Sequence, residues 1–221
     1  MELRERLTEV FPLFGLRVRT PGLELRYADD EDLLELGVMA QDIHGPDERP
    51  FAQPWNQVDT PAELRRGVLS FSWARRAEIS PKQWSLTLVT VVDGQIVGMQ
   101  GIGATDFVGT GTVSTGSWLN RAHQGQGIGP EMRAAVLHLA FAGLDAVRAE
   151  SGAYEDNPRS LAVSRKVGYR ENGDKLHHDG ERRRREVLFA MDREDWEPLR
   201  RNDIELVGVE ACLPLLVGPQ G

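Results

Sequence analysis

Alternation of apolar and polar positions first becomes regular over residues 23–28, where L-E-L-R-Y-A has the period of two expected of a strand with one buried face. Asp29, Asp30 and Asp32 then precede Leu33, Leu34, Leu36, Val38 and Met39. Acids placed where a helix N-terminus favours negative charge predict a helix there. Pro46, Pro50 and Pro54 interrupt the pattern, so residues 44–60 read as a loop that carries Phe51 and Trp55 and is long enough to form part of a binding cleft. Thr60-Pro61-Ala62-Glu63 has the capping-box spacing with proline at the first helical position, and a second helix is expected to about residue 78.

Residues 84–92 and 95–102 are rich in Val, Ile, Leu and Thr, and Asp93-Gly94 between them predicts an antiparallel hairpin. Residues 111–119 add a third strand that runs into Gln124-Gly125-Gln126-Gly127-Ile128-Gly129. Beyond it Ile128, Met132, Ala135, Val136 and Leu139 share one face of a helix expected over 130–142, with Pro130 in the first turn and Gly143 at the end. A strand at 146–151, a short helix at 160–167 and strands from Tyr169 and over 186–191 follow, and 204–209 reads as one more strand. Hairpins mixed with strand-helix-strand units predict an α+β, mixed α/β fold.

A length of 221 residues suits one domain over 1–221, within the size a single core reaches. The formal net charge of -8 disfavours a broad nucleic-acid-binding face, which needs clustered Lys and Arg, and leaves a cationic acceptor such as an amine open. Cys212 is the only cysteine, so neither an intramolecular disulfide nor a cysteine metal cage is available, which fits a reducing compartment. Residues 1–20 interleave Glu2, Arg4, Glu5, Arg6 and Glu9 with apolar residues, unlike a signal peptide. No stretch approaches the roughly 18 apolar residues of a membrane span. The expected location is the cytoplasm, with no membrane partner.

Gly125, Gly127 and Gly129 stand between a strand and a helix, where free amides and the helix dipole hold a phosphate and glycine lets the backbone approach it. Ile128 is placed to anchor this loop and Gln124 to brace its entry. A ligand-free turn is the plain alternative. A dinucleotide fingerprint is disfavoured by its G-x-G-x-x-G spacing and by the antiparallel strands upstream, although Glu150 lies near the distance of a ribose-binding acid.

Ser117-Trp118-Leu119, then Gln124-x-x-Gly127-x-Gly129 with Glu131, Asn157-x-x-Ser160 and Lys166-Val167-Gly168-Tyr169, resemble the GNAT superfamily of N-acyltransferases, specifically its RimJ/RimL-type members. The closing Val187-Leu188-Phe189-Ala190-Met191 and Trp196 extend the resemblance over about 23–196, leaving 200–221 as a C-terminal extension. Pro50-Phe51-x-x-Pro54-Trp55 and Gly116-Ser117-Trp118-Leu119 are similar to a bacterial RimL-like subgroup for which succinyl-CoA, rather than acetyl-CoA, is the suggested donor. The resemblance implies a mostly antiparallel central sheet flanked by helices and splayed at the acyl-CoA site. It implies that Gln124, Gly125, Gln126, Gly127, Ile128 and Gly129 hold the pyrophosphate and that the strand ending at Trp118 and Leu119 pairs with pantetheine. Asn157 and Ser160 are then expected near the pantetheine and sulfur. The implied partners are acetyl-CoA or succinyl-CoA and an amine of a protein or small molecule, without a metal.

Acyl transfer to an amine needs a neutral nucleophile, a polarised thioester carbonyl and a proton for the leaving thiolate. Val113-Ser114-Thr115-Gly116, where the family often places a carboxylate, offers hydroxyls only. His123, with Asp106, His44 or a water chain as alternatives, is the candidate proton acceptor; a surface or packing role is the plain reading of His123. The resemblance makes Ser160 the preferred thiolate donor, because it matches the RimL-like N-x-x-S position; Ser164 occupies the place where many superfamily members have tyrosine. Capping is the plain reading of both serines and of Asn157. Phe51, Trp55, Trp73 and Trp84 are candidates for an acceptor pocket or for the core. Arg182 to Arg185 read as a solvated edge, and His177-His178-Asp179 as a loop rather than a zinc site. For the extension, pairing with a second subunit in a homodimer or higher homo-oligomer and covering its own sheet both stay open.

Overall fold

Local capping decides where the chain turns helical in this computed structural model, which describes residues 3–45, 48–51, 55–178 and 182–218. In chain order these form α1 (Leu3–Val10), β1 (Arg17–Arg19), β2 (Glu24–Tyr27), α2 (Asp30–Met39), α3 (Pro61–Ala77), β3 (Gln83–Val92), β4 (Gln95–Thr105) and α4 (Phe107–Thr110). Then come β5 (Thr112–Leu119), α5 (Ile128–His138), β6 (Arg148–Tyr154), α6 (Pro158–Lys166), β7 (Arg170–His178), β8 (Arg183–Asp192), α7 (Arg193–Trp196), β9 (Glu205–Val207) and α8 (Val209–Leu216). Asp29 caps α2 and Thr60 caps α3, each in a reciprocal capping box that satisfies amides the helix itself cannot.

The strands form one sheet in the order β7-β8-β6-β5-β4-β3-β2-β1-β9 among the described residues. Every neighbouring pair is antiparallel except β5 and β6, which run parallel. Strand alternation sorts side chains between two cores. Trp84, Leu86 and Leu88 of β3 join Val113, Met132, Val136 and Phe141 on the α5 face. Val89 and Val91 join Trp118, Leu33, Leu36, Leu64 and Val68 on the α2–α3 face.

Several expectations are corrected. The helix expected over 130–142 begins at Ile128, stays α-helical to His138 and closes with a π turn, Leu139–Gly143, in which the Leu144 amide reaches back to Leu139 O. His177 and His178 lie on β7 rather than in a loop, and Asp179 is outside the described residues. β8 is flanked by β6 and β7, so it is no edge; Arg184 is buried while Arg183 and Arg185 are exposed. Pro46 and Pro54 of the expected loop also fall outside the described residues. The extension covers the chain's own sheet, with β9 paired to β1 at Arg17↔Val207, Val18↔Leu206 and Arg19↔Glu205.

Asp32 locks α1 and β2 to the start of α2. Its carboxylate lies 2.6 Å from Arg26 and 3.1 Å from Arg4. Burial pushes the Asp32 carboxyl up, but the hydrogen bonds and charge of Arg26, with Arg4, outweigh it and hold the group below the ordinary carboxylate range. A depressed folded pKa contributes stability above the unfolded value of about 3.9 and loses it as pH falls through the folded value. Asp32→Asn is therefore expected to destabilise the protein by roughly 1–3 kcal/mol at pH 7. Urea midpoints that converge with wild type below the carboxylate range check this; a gap independent of pH contradicts it.

Candidate functional site

β5 and β6 pair only at Thr112↔Arg148, Val113↔Ala149 and Ser114↔Glu150. Both strands continue, to Leu119 and Tyr154, still paired to β4 and β8 but no longer to each other, so the sheet opens into a fork. Strand alternation decides what faces the opening. The Gly116 carbonyl accepts from Gln100 on the β4 side, whereas the Thr115 carbonyl accepts from Ser151 on the β6 side. Backbone groups of Ser117, one alternation on from Thr115, are thereby directed into the fork, and on β6 those of Gly152 follow Glu150, whose carbonyl accepts from Thr115. Gly152 is exposed and Ser117 half-buried, so these backbone groups are accessible to a hydrogen-bonding ligand entering the fork.

Side chains hold the fork where the backbone ladder is missing. Arg133 of α5, 3% exposed, donates to Ser151 Oγ and Ser117 Oγ, both at 2.9 Å, and so spans the two prongs. Its guanidinium stands 5.9 Å from the Tyr169 ring centroid, and Tyr169 OH is 3.0 Å from Thr115 Oγ1. Burial raises the Tyr169 phenol above its ordinary value against the opposing charge of Arg133, so it remains protonated as a hydrogen-bonding group. Sequence reading missed this network, although Arg133 is the only Lys or Arg between Arg121 and Arg148 and interrupts an apolar helix.

At the end of β5 the glycine loop turns into α5. Gly125 and Gly127 have φ of 76° and 86°, left-handed values costly for residues with a Cβ, and a Cβ at either would meet open space. Gly127 is the N-cap of α5 and no side chain caps that end. The Ile128 and Gly129 amides precede the first intrahelical bond, and Pro130 has no N–H to leave unpaired. Gln124 Nε2 donates to Ile43 O at 2.7 Å and Leu119 O at 2.9 Å, while its Oε1 accepts from Arg159 at 3.1 Å. This ties the loop to the fork and sets a cation beside it. Ile128 packs against the α5-face core. Glu131 instead braces residues 20–22, accepting from Thr20 Oγ1 at 2.6 Å.

Asn157 is the N-cap of α6, its Oδ1 accepting from the Ser160 amide at 3.1 Å, so its side chain does hold a helix start. Ser160 is half-buried on that first turn, and Ser164 is buried with no hydrogen-bond partner for Oγ. His123 sits in the turn Arg121–His123 between β5 and the loop. The remaining candidates separate. Both ring nitrogens of His44 are engaged, by Gly45 O and Asn56, and Asp106 lies at the connection that begins β5, the end away from the fork. Trp118 lies on the α2–α3 face with Trp55 at 6.0 Å and Phe51 next to Trp55 at 5.3 Å, giving that side of the fork an aromatic wall. Trp84 is core, and Trp73 is exposed and bonded to Asp30. Burial pushes the Cys212 thiol up to about 12, so it is no nucleophile at neutral pH. Among the described residues no His, Cys, Asp and Glu cluster could hold a metal ion, and no helix is long and apolar enough to cross a membrane.

The fold matches known proteins. RimL, a ribosomal alpha-N-protein acetyltransferase solved in complex with coenzyme A, superposes with a TM-score of 0.65 at 21% identity, covering 78% of this chain and 95% of that one. Mycobacterium smegmatis RimJ in complex with a CoA disulfide gives 0.66 at 23% identity, covering 90% and 91%. A Salmonella typhimurium acetyl transferase that modifies the N-terminal serine of a 50S ribosomal subunit protein gives 0.63 at 20%, covering 78% and 96%. These likenesses establish the fold. A family model described as the acetyltransferase (GNAT) domain matches residues 23–170, most of the chain and all of the fork and glycine loop, and the protein belongs to the GNAT acetyltransferase family.

Proposed function

We propose that this protein, acting as one acyltransferase domain, transfers an acyl group from acyl-CoA to a primary amine by direct attack in a ternary complex. The observation that carries this reading is the continuity of two binding features. An uncapped helix start suited to a pyrophosphate adjoins a fork where β5 and β6 no longer pair with each other at Ser117 and Gly152. Gln124 to Gly129 would hold the pyrophosphate. The segment through Trp118 and Leu119 would bond pantetheine as an added strand, and Asn157 would keep α6 in place with Ser160 close to the sulfur. Beside Gly127, a groove of about 400 Å³ bounded by Pro130, His138, Lys166, Trp196 and Arg201 has room for the nucleotide. Solved relatives bound to coenzyme A support this assignment.

The donor is acetyl-CoA or succinyl-CoA, the latter being the donor suggested for the subgroup that resembles this chain at Phe51 and Trp55. A protein amino terminus as acceptor is supported by the RimL and RimJ neighbours and by the chain's net charge of -8, which favours a cationic partner. Attack by the neutral amine forms the C–N bond and breaks the C–S bond. Ser160 gives a proton to the leaving thiolate, and His123 is a proton-transfer candidate beside the cradle. Ser160→Ala is expected to lower kcat about tenfold or more with CoA affinity retained. Unchanged turnover in thiol-release assays would leave Ser160 a helix-start residue only.

A second reading, a non-catalytic acyl-CoA sensor, is favoured by one observation. Ser114 and Thr115 spend their hydroxyls on backbone carbonyls, so this strand segment supplies no base. Incubation with acetyl-CoA or succinyl-CoA and a panel of primary amines separates the two. Acceptor-dependent thiol release supports the enzyme; tight CoA binding without release for either donor supports the sensor.

A further inference from the structure

The fork's mouth on the α2–α3 face carries a carboxylate that the scheme above leaves unused. Resting on the acyl-transfer reading, we propose that Glu186 takes the proton of the acceptor amine, with His177 as its positioning residue. Glu186 lies on β8 opposite Tyr154, at the end of β6, and its side chain lies over Gly152. A Cβ at Gly152 would collide with Glu186 Oε1, so one carboxylate oxygen stands directly at the fork residue whose backbone faces the opening. The other oxygen, Oε2, is 2.8 Å from His177 Nε2, and the His177 ring stands edge-on to Tyr154 at 5.7 Å.

Geometry separates this carboxylate from the other candidates. Across the fork, Gly116 has nothing within 4 Å of where a Cβ would stand. The space over Gly116 is thus a slot open to an incoming amine, with the Trp118 and Trp55 rings on one side and Glu186, over Gly152, on the other. The Glu186 and His177 side chains are 26% and 37% exposed, so the pair links the slot to solvent. His123 lies on the cradle side of β5, and His44 has both ring nitrogens occupied.

In the proposed step an ammonium acceptor gives one proton to Glu186 Oε1, and this proton leaves to solvent past His177. The neutral amine then attacks the thioester carbonyl, the C–S bond breaks, and the second amine proton is balanced by protonation of the thiolate. The products are an amide, the free thiol and one proton. His177 Nε2–H donates to Oε2, which fixes the carboxylate's rotamer with Oε1 toward the slot. The charged groups facing this pair are Lys175, the cross-strand partner of Glu186 on β7, and on β8 Arg184. The Arg184 guanidinium stands 3.7 Å from the Tyr154 ring centroid and 2.7 Å from Asp156. On β6, Glu150 lies two residues before Gly152.

The test measures thiol release from acetyl-CoA with a peptide bearing an N-terminal serine, from pH 6 to 9.5. Wild-type release with this peptide fixes the reference profile. Glu186→Gln is expected to lower kcat about 100-fold at the acid end. Its CoA affinity by calorimetry should stay unchanged, and its deficit should shrink as pH passes the α-amine's pKa of about 8. Should Glu186→Gln fail to fold, His177→Leu is expected to show the same pH-dependent deficit, and His177→Gln, which keeps an N–H donor, to restore part of it. Wild-type kcat in Glu186→Gln, or a deficit equal at every pH, overturns the proposal, as does the pH-dependent deficit appearing in His123→Gln instead. A wild-type protein that binds CoA but acylates no amine in the wider panel overturns the acyl-transfer reading, and this inference with it.

Discussion

Gly127→Glu is expected to remove measurable CoA binding while the protein stays folded. At φ 86° a side chain costs about 1–2 kcal/mol in backbone strain, which a domain of this size tolerates. A Cβ there points into open space, so nothing in the core must move. The new carboxylate, however, would stand at the uncapped start of α5, where the Ile128 and Gly129 amides await an anion. Loss of those contacts together with like-charge repulsion should weaken CoA by about 100-fold or more, close to 3 kcal/mol. Gly127→Ala, which carries only the strain, should weaken binding far less. Calorimetry showing unchanged affinity in a folded Gly127→Glu protein would refute the cradle.

Trp84→Ala should produce the largest loss of stability. Trp84 is 2% exposed, packs on Phe107 with ring centroids 5.8 Å apart and donates from Nε1 to Leu216 O at 2.9 Å, pinning α8 to β3. Truncation leaves a cavity and an unpaired carbonyl together, for which about 3–5 kcal/mol is expected. Trp84→Phe, which keeps most of the packing and loses the hydrogen bond, should cost about 1–2 kcal/mol. Urea titrations check both values. A Trp84→Ala protein with wild-type stability and impaired acceptor binding would move this residue from the core to the acceptor pocket.

Much of the candidate site was legible because its signals are local. Turn residues, caps and a strand-to-helix glycine run act within a few positions, so Asp93-Gly94, Thr60 with Glu63, and Gly125 to Gly129 each announced their structure. A three-residue element such as β1 is too short for a period to emerge, whereas β9, Glu205–Val207, was read within 204–209, although Val209 already begins α8. α1 was also missed: mixed charge along its length obscures its apolar face, and its described residues include none that are buried. His177 looked like part of a polar tract because β7 is exposed on nearly every residue and so lacks the alternation that marks a strand.

By itself the sequence determined the order of hairpins and strand-helix units, the start of the main helices and the phosphate-suited loop, since each follows from residues adjacent in the chain. Only the tertiary structure decided where β5 and β6 part after Ser114 and Glu150, and that Arg133 spans the gap. The tertiary structure also brought Glu186 over Gly152 and paired β9 with β1. Those arrangements join residues far apart in sequence, and their cost in loop-closure entropy is offset by the packing and hydrogen bonding of the whole sheet. No local period encodes that sum.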